Sequence, residues 1–122
     1  MKTKIAVPTD DGITISAHFG QAHYFKILTL EDGMIRSAEL REKATHDHGS
    51  VHPEGVHPGQ QMITSIADCQ VLIAGGMGSP VYQRATNAGL QVILTRYQEI
   101  DLAVQAYLAG TLENVPHLIH VH

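Results

Sequence analysis

The pattern of apolar and polar positions changes rhythm partway along the chain, and that change predicts the fold class. Lys4 to Pro8 is an apolar-rich segment ended by Asp10-Asp11-Gly12, which predicts a first strand closed by a turn. Ile13-Thr14-Ile15 fits either a short strand or an irregular return. His23 to Leu30 alternates as a half-buried strand does. Asp32-Gly33 then predicts a tight hairpin, with Met34 to Leu40 as the returning strand. The front of the molecule is expected to be antiparallel.

The back half follows other periods. Pro58 to Ala67 places Met62, Ile63 and Ile66 on one helical face, with proline in the first turn. Cys69 to Ala74 is a nearly continuous apolar run, as a strand covered on both faces requires. Gly75-Gly76-Met77-Gly78 follows, then Ser79 as N-cap and Pro80 as first residue of a helix running to about Ala88 and stopped at Gly89. Leu90 to Leu94 predicts another buried strand. Glu99 to Ala109 predicts a last helix with Ile100, Ala103, Val104, Tyr107 and Leu108 inward and Gly110 closing it. An antiparallel front followed by α-β-α-β-α predicts an α/β protein, a mixed sheet sandwiched by helices with right-handed crossovers.

Composition narrows the function classes. The length, 122 residues, suits one domain spanning 1–122, and 43% hydrophobic residues suffice for a core without disulfide staples. A net charge of −4 and scattered Lys and Arg argue against nucleic acid, which needs a basic surface. The N-terminal apolar stretch is too short for a signal peptide or membrane span. A single cysteine, Cys69, fits the reducing cytoplasm.

Histidine is out of proportion: nine, against eight Lys and Arg together, with seven in two clusters. The first cluster, His46, His48, His52 and His57, lies in the polar loop between Lys43 and Gly59, which is long for a compact domain. Its spacing brings several imidazoles within reach of one centre, and neutral imidazole is a common ligand for transition metals. The competing reading is a solvated loop that happens to be rich in histidine. The second cluster, His117, His120 and His122, ends the sequence and fits either a frayed tail or a segment folded over a site. His18-Phe19-Gly20, with His23 five positions after His18, can present imidazoles at a loop rim or simply hydrogen-bond to support it.

Gly75 to Gly78 lies where open α/β sheets bind ligands, beyond the carboxyl end of a strand and before a helix N-terminus that favours an anion. A tight connection with no ligand is the alternative. The turn lacks the third glycine of a dinucleotide fingerprint, having Val81 there, and no Lys-Ser/Thr pair makes it a P-loop. Cys69 is expected to be a small buried hydrophobe, and Asp10 and Asp11 a solvated pair of turn acids. No G-x-S-x-G elbow or acid–base pair is identifiable, so a hydrolase or transferase acting on a phosphorylated small molecule ranks last.

Together, Lys4-Ile5-Ala6-Val7-Pro8-Thr9-Asp10-Asp11-Gly12, His18-Phe19-Gly20-x-Ala22-x-x-Phe25, Asp68-Cys69-x-Val71-Leu72-Ile73-Ala74-Gly75-Gly76-Met77-Gly78 and Tyr107-Leu108-Ala109-Gly110 span nearly the whole sequence. In these motifs it resembles the dinitrogenase iron–molybdenum cofactor biosynthesis family, the NifX-type domain that also ends NifB-type proteins. The resemblance implies a three-layer α/β/α ribonuclease-H-like fold with a mixed five-stranded sheet and no nuclease activity. It implies an anionic iron–sulfur or iron–molybdenum–sulfur cluster as bound cargo, and no catalysis. His18 would be the leading ligand, with Phe19, Gly20, Gly75, Gly76, Met77 and Gly78 around the cluster and the glycine turn giving backbone donors. His23, His46, His48, His52 and His57 join as metal ligands from the residue pattern alone. Expected partners are cluster-assembly or acceptor proteins, with the chain a monomer or weak homodimer. A Zn or Ni buffer using the His-rich loop is the alternative reading.

Overall fold

The computed structural model describes residues 2–19, 22–42 and 63–120. Its strands and helices, in chain order, are β1 (Lys2–Thr9), β2 (Tyr24–Glu31), β3 (Met34–Glu42), β4 (Val71–Ala74), β5 (Met77–Gly78), α1 (Ser79–Asn87), β6 (Gln91–Leu94), α2 (Ile100–Leu108) and β7 (Ile119–His120). A short helical turn at 63–65 precedes β4. Five strands form one mixed sheet in the order β3-β2-β1-β4-β6. β1, β2 and β3 run antiparallel, and β1, β4 and β6 run parallel.

The hairpin forms where the Asp-Gly signal places it. Asp32 and Gly33 both take positive φ (54° and 78°), the left-handed pair that matches the twist of the flanking strands. Ile13 to Ile15 is the irregular return, with one isolated bridge from Thr14 to Glu99.

Alternation along the strands sends side chains to two packed faces. On one, Ala6, Phe25, Ile27, Leu72, Ala74, Val92 and Leu94 meet Ile63, Ile66 and Ala85, with Val81 and Tyr82 of α1 against them. On the other, Ile5, Val7, Leu28, Leu30, Val71, Ile73 and Ile93 meet Ile100, Ala103 and Val104 of α2. Helical segments therefore cover both faces of the parallel part. Of the helix expected over Pro58 to Ala67, Ile63 and Ile66 face the core as predicted, and 58–62 lie outside the described residues. Tyr107 and Leu108 of α2 are half-buried against this second core face, and Ala106 is buried. No helix among the described residues is long and apolar enough to cross a membrane.

At the amino end of the parallel strands, Asp68 ties three elements together. It accepts from Arg41 Nη1 at 2.9 Å and from Lys4 Nζ at 3.3 Å, while Arg41 also donates to the Ser65 carbonyl at 2.9 Å. The Arg41 guanidinium holds the Asp68 carboxyl well below its ordinary value of 3.8. A carboxylate so depressed adds stability above that ordinary value, and the contribution is lost as pH falls through the lower folded value. We expect Asp68→Asn to be less stable than the parent at neutral pH by about 0.2–1 kcal/mol, the modest scale of a solvent-screened pair. In urea unfolding at successively lower pH, the gap should close below the ordinary carboxylate range. A gap that persists into strong acid would assign Asp68 a packing role instead.

Candidate functional site

The carboxyl ends of β1 and β4 carry the two segments that the sequence singled out, and the backbone stitches them together. Thr9, fully buried at the end of β1, donates its hydroxyl to the Thr14 carbonyl at 2.6 Å and accepts the Gly12 N–H at 2.9 Å. Asp11 completes this turn by accepting the N–H groups of Ile13 and Thr14, both at 2.8 Å, and the Thr14 hydroxyl at 3.0 Å. Those two backbone donors lower its carboxyl to about 2. The next residues are pinned on both sides, Ile15 N–H to the Gln98 carbonyl at 2.8 Å and Ser16 N–H to the Pro8 carbonyl at 2.9 Å.

The loop then crosses the glycine turn. Gly75 N–H donates to the Ser16 carbonyl and Phe19 N–H donates to the Gly76 carbonyl, each at 3.2 Å. This approach is why position 75 is glycine: a Cβ there would stand 2.8 Å from the Ser16 oxygen and 3.1 Å from Ala17 Cα. His18, exposed, sits between these two contacts, with its N–H and carbonyl both bonded to the Ser16 hydroxyl (3.2 and 3.0 Å).

Two predicted site residues turn their side chains inward. Phe19 is 1% exposed and packs on Phe25 with ring centroids 5.5 Å apart. Met77 is also 1% exposed. At those positions only backbone can face a ligand, and Phe19 serves His18 as an anchor in the core.

The start of α1 departs from expectation. Gly78, in extended conformation (φ −72°, ψ 152°), is the N-cap, Ser79 is already helical, and no side chain caps the end. The cause lies in the tail: Met77 and Gly78 pair in parallel with Ile119 and His120, so the turn is drawn out as β5. Leu118 and Ile119 pack against the core beside Val81 and Tyr82, and Val115 N–H reaches the Leu94 carbonyl at 2.7 Å. The tail segment through His120 therefore folds onto the glycine turn, and the apolar pair Leu118-Ile119 is the signal that could have shown it. No acidic residue lies in α1's first turn, so no carboxylate of its own competes with an anion there.

His23 immediately precedes β2 at the end of the same loop, where its Nδ1 lies 2.6 Å from Asp10 Oδ1. Cys69 sits before the amino end of β4, about 20 Å along the chain from Gly75 at roughly 3.3 Å per residue. Burial pushes its thiol up to about 11, which keeps it protonated at neutral pH. The predicted residues Gly20, His46, His48, His52 and His57 lie outside the described residues, as does His122. Among the described residues, no three of His, Cys, Asp and Glu converge as a cage for a metal ion. A depression of about 510 Å³ follows β6, lined by Thr95, Arg96, Tyr97, Thr111, Glu113 and Val115, none of them singled out from sequence.

Residues 1–110 match the family model described as dinitrogenase iron-molybdenum cofactor, so the tail segment that pairs with the glycine turn lies beyond the matched region. An uncharacterized protein of Methanocaldococcus jannaschii is 27% identical over 110 residues, which are 90% of this chain and 89% of that protein. NifX of Sinorhizobium fredii is likewise 27% identical over 110 residues, 88% of this chain and 67% of that one. Among solved structures, the apo form of the orange protein from Desulfovibrio gigas matches with a TM-score of 0.71 at 22% identity, covering 93% of each chain.

Proposed function

Because the chain belongs to the dinitrogenase iron–molybdenum cofactor family, we propose that it binds and carries, or scaffolds, an anionic metal–sulfur cluster and catalyses no reaction of its own. The observation that carries this reading is the join between the His18 segment and the glycine turn: two backbone hydrogen bonds tie the loop that carries exposed His18 to the turn leading into a nine-residue helix with no side-chain cap at its N-terminus. A helix N-terminus offers partial positive charge and N–H donors to an anion. An imidazole offers a lone pair to a metal. A cluster that brings its own sulfide needs both, and needs few protein donors, whereas a bare cation gains nothing from the helix end.

In this reading the five-stranded sheet is a three-layer ribonuclease-H-like scaffold, and residues 1–122 act as a single domain. Gly76, Met77 and Gly78 contribute backbone, His18 and His23 contribute imidazoles, and His46, His48, His52 and His57 are further ligands. The protein works in the cytoplasm as a monomer or weak homodimer, between an assembly protein that supplies the cluster and an acceptor that takes it.

Anaerobic reconstitution with ferrous iron, molybdate and sulfide tests the assignment. The parent should retain a coloured species in stoichiometric amount, and His18→Ala should retain it at least about tenfold more weakly, the usual scale for loss of a ligand or its support. Equal retention by His18→Ala would remove His18 from the site. Tight binding of zinc or nickel with no requirement for sulfide would favour a divalent-metal buffer instead.

A further inference from the structure

Asp10 and Asp11 are neighbours in sequence with separate tasks in the structure. Asp11 is spent on its own turn. Asp10 turns the other way, across the mouth of the loop to the start of β2. Its Oδ1 accepts the backbone N–H of His23 at 2.9 Å and lies 2.6 Å from the Nδ1 of the same residue. Both side chains remain more than half exposed, 57% for His23 and 58% for Asp10. The pair therefore stands at the loop rim, where a bound species could reach it, and is not buried as structural cement.

The chemistry of the contact fixes the ring. An ionised carboxylate has no proton to give, so the nitrogen facing it must carry one. A neutral imidazole has a single N–H, so a proton held on Nδ1 puts the lone pair on Nε2. Histidine in water prefers the opposite arrangement, with its proton on Nε2. A carboxylate or carbonyl on the far nitrogen is also how protein-bound metals keep their histidine ligands in one tautomer and orientation. The backbone contact ties the carboxylate to the very residue whose ring it orients, so the two groups move together.

We propose that Asp10 is a positioning residue: it holds His23 as the Nδ1–H tautomer and so makes Nε2 the atom offered to a metal of the bound cargo. This rests on the cluster-binding reading and deepens it, by naming a second imidazole, its ligating atom and the residue that selects it. The ligand class is a transition-metal centre with an open coordination position, at the edge of a species that supplies its own sulfide.

Two readouts test it separately. The first uses the protein without metal, labelled with ¹⁵N-histidine, and reads which ring nitrogen of His23 is protonated from long-range ¹H–¹⁵N correlations at a pH where the ring is neutral. The parent should show Nδ1–H. Asp10→Ala should shift His23 toward Nε2–H, and Asp10→Asn should keep Nδ1–H, because the amide oxygen can still accept both donors. A parent already in the Nε2–H form, or an Asp10→Ala variant with unchanged tautomer, overturns the proposal. The second readout is molybdenum and iron retained after anaerobic reconstitution with iron, molybdate and sulfide. Asp10→Ala should lose about tenfold or more in retention, with Asp10→Asn near the parent. Equal retention by all three proteins overturns the metal-positioning role. If the tautomer pattern holds while even the parent retains no metal, the cluster-binding reading fails and the control of His23 by Asp10 stands.

Discussion

Phe19→Ala is expected to destabilise the protein by about 3–5 kcal/mol, the cost of emptying a well-packed aromatic site. Phe19 is 1% exposed and packs on Phe25 in the same core face as Leu72, Ala74 and Met77. A loss of that size is a large share of the roughly 5–15 kcal/mol that holds a typical domain folded. Urea unfolding of parent and variant measures it. The same substitution separates two roles for the ring. If Phe19 is the anchor of the His18 segment, Phe19→Leu should recover much of the stability and retain cargo, since an aliphatic side chain still fills the core. If Phe19→Leu folds normally but binds no cluster, the ring touches cargo and the anchoring account is wrong.

Gly75→Ala should have the second-largest effect, and its cause is space, because Gly75 is not among the residues with positive φ. The added Cβ would meet the Ser16 carbonyl at 2.8 Å and Ala17 Cα at 3.1 Å, both of them backbone. Neither can swing aside as a side-chain tip could, so the 14–19 segment must back away. That shift threatens the two 3.2 Å hydrogen bonds joining the segments. Overpacking of this kind costs about 1–3 kcal/mol. Because the displaced segment carries His18, cargo retention should fall further than stability alone would explain. Thermal unfolding and reconstitution run on the same preparation check both halves. A variant as stable as the parent, with full retention, would mean that the approach at Gly75 does not hold the site together.

Much of the fold was legible in the sequence because its signals are local. Strand alternation from His23 to Leu30, the Asp32-Gly33 turn and the apolar run into Ala74 each act over a few residues, and the strands form within a residue or two of where those signals place them. What escaped was non-local. A parallel ladder of two residues, Met77–Gly78 with Ile119–His120, has no periodicity to read, yet it extends the glycine turn and moves the helix cap from Ser79 to Gly78. Motif membership located the HFG and glycine segments without saying which atoms face outward. Phe19 and Met77 stand in those motifs and bury their side chains, while the backbone beside them stays at the site. Asp10 and Asp11 look alike in sequence, and only the folded loop separates the turn-forming carboxylate from the one that meets His23.

The central claim is that this chain holds a metal–sulfur species where the His18 segment crosses the glycine turn. Its most direct test is the metal and acid-labile sulfide content of the protein purified anaerobically from its own host. The account predicts iron or molybdenum together with sulfide at a fixed ratio to protein, reduced in parallel by His18→Ala. Protein that carries no sulfide, or that carries zinc or nickel alone, would contradict it.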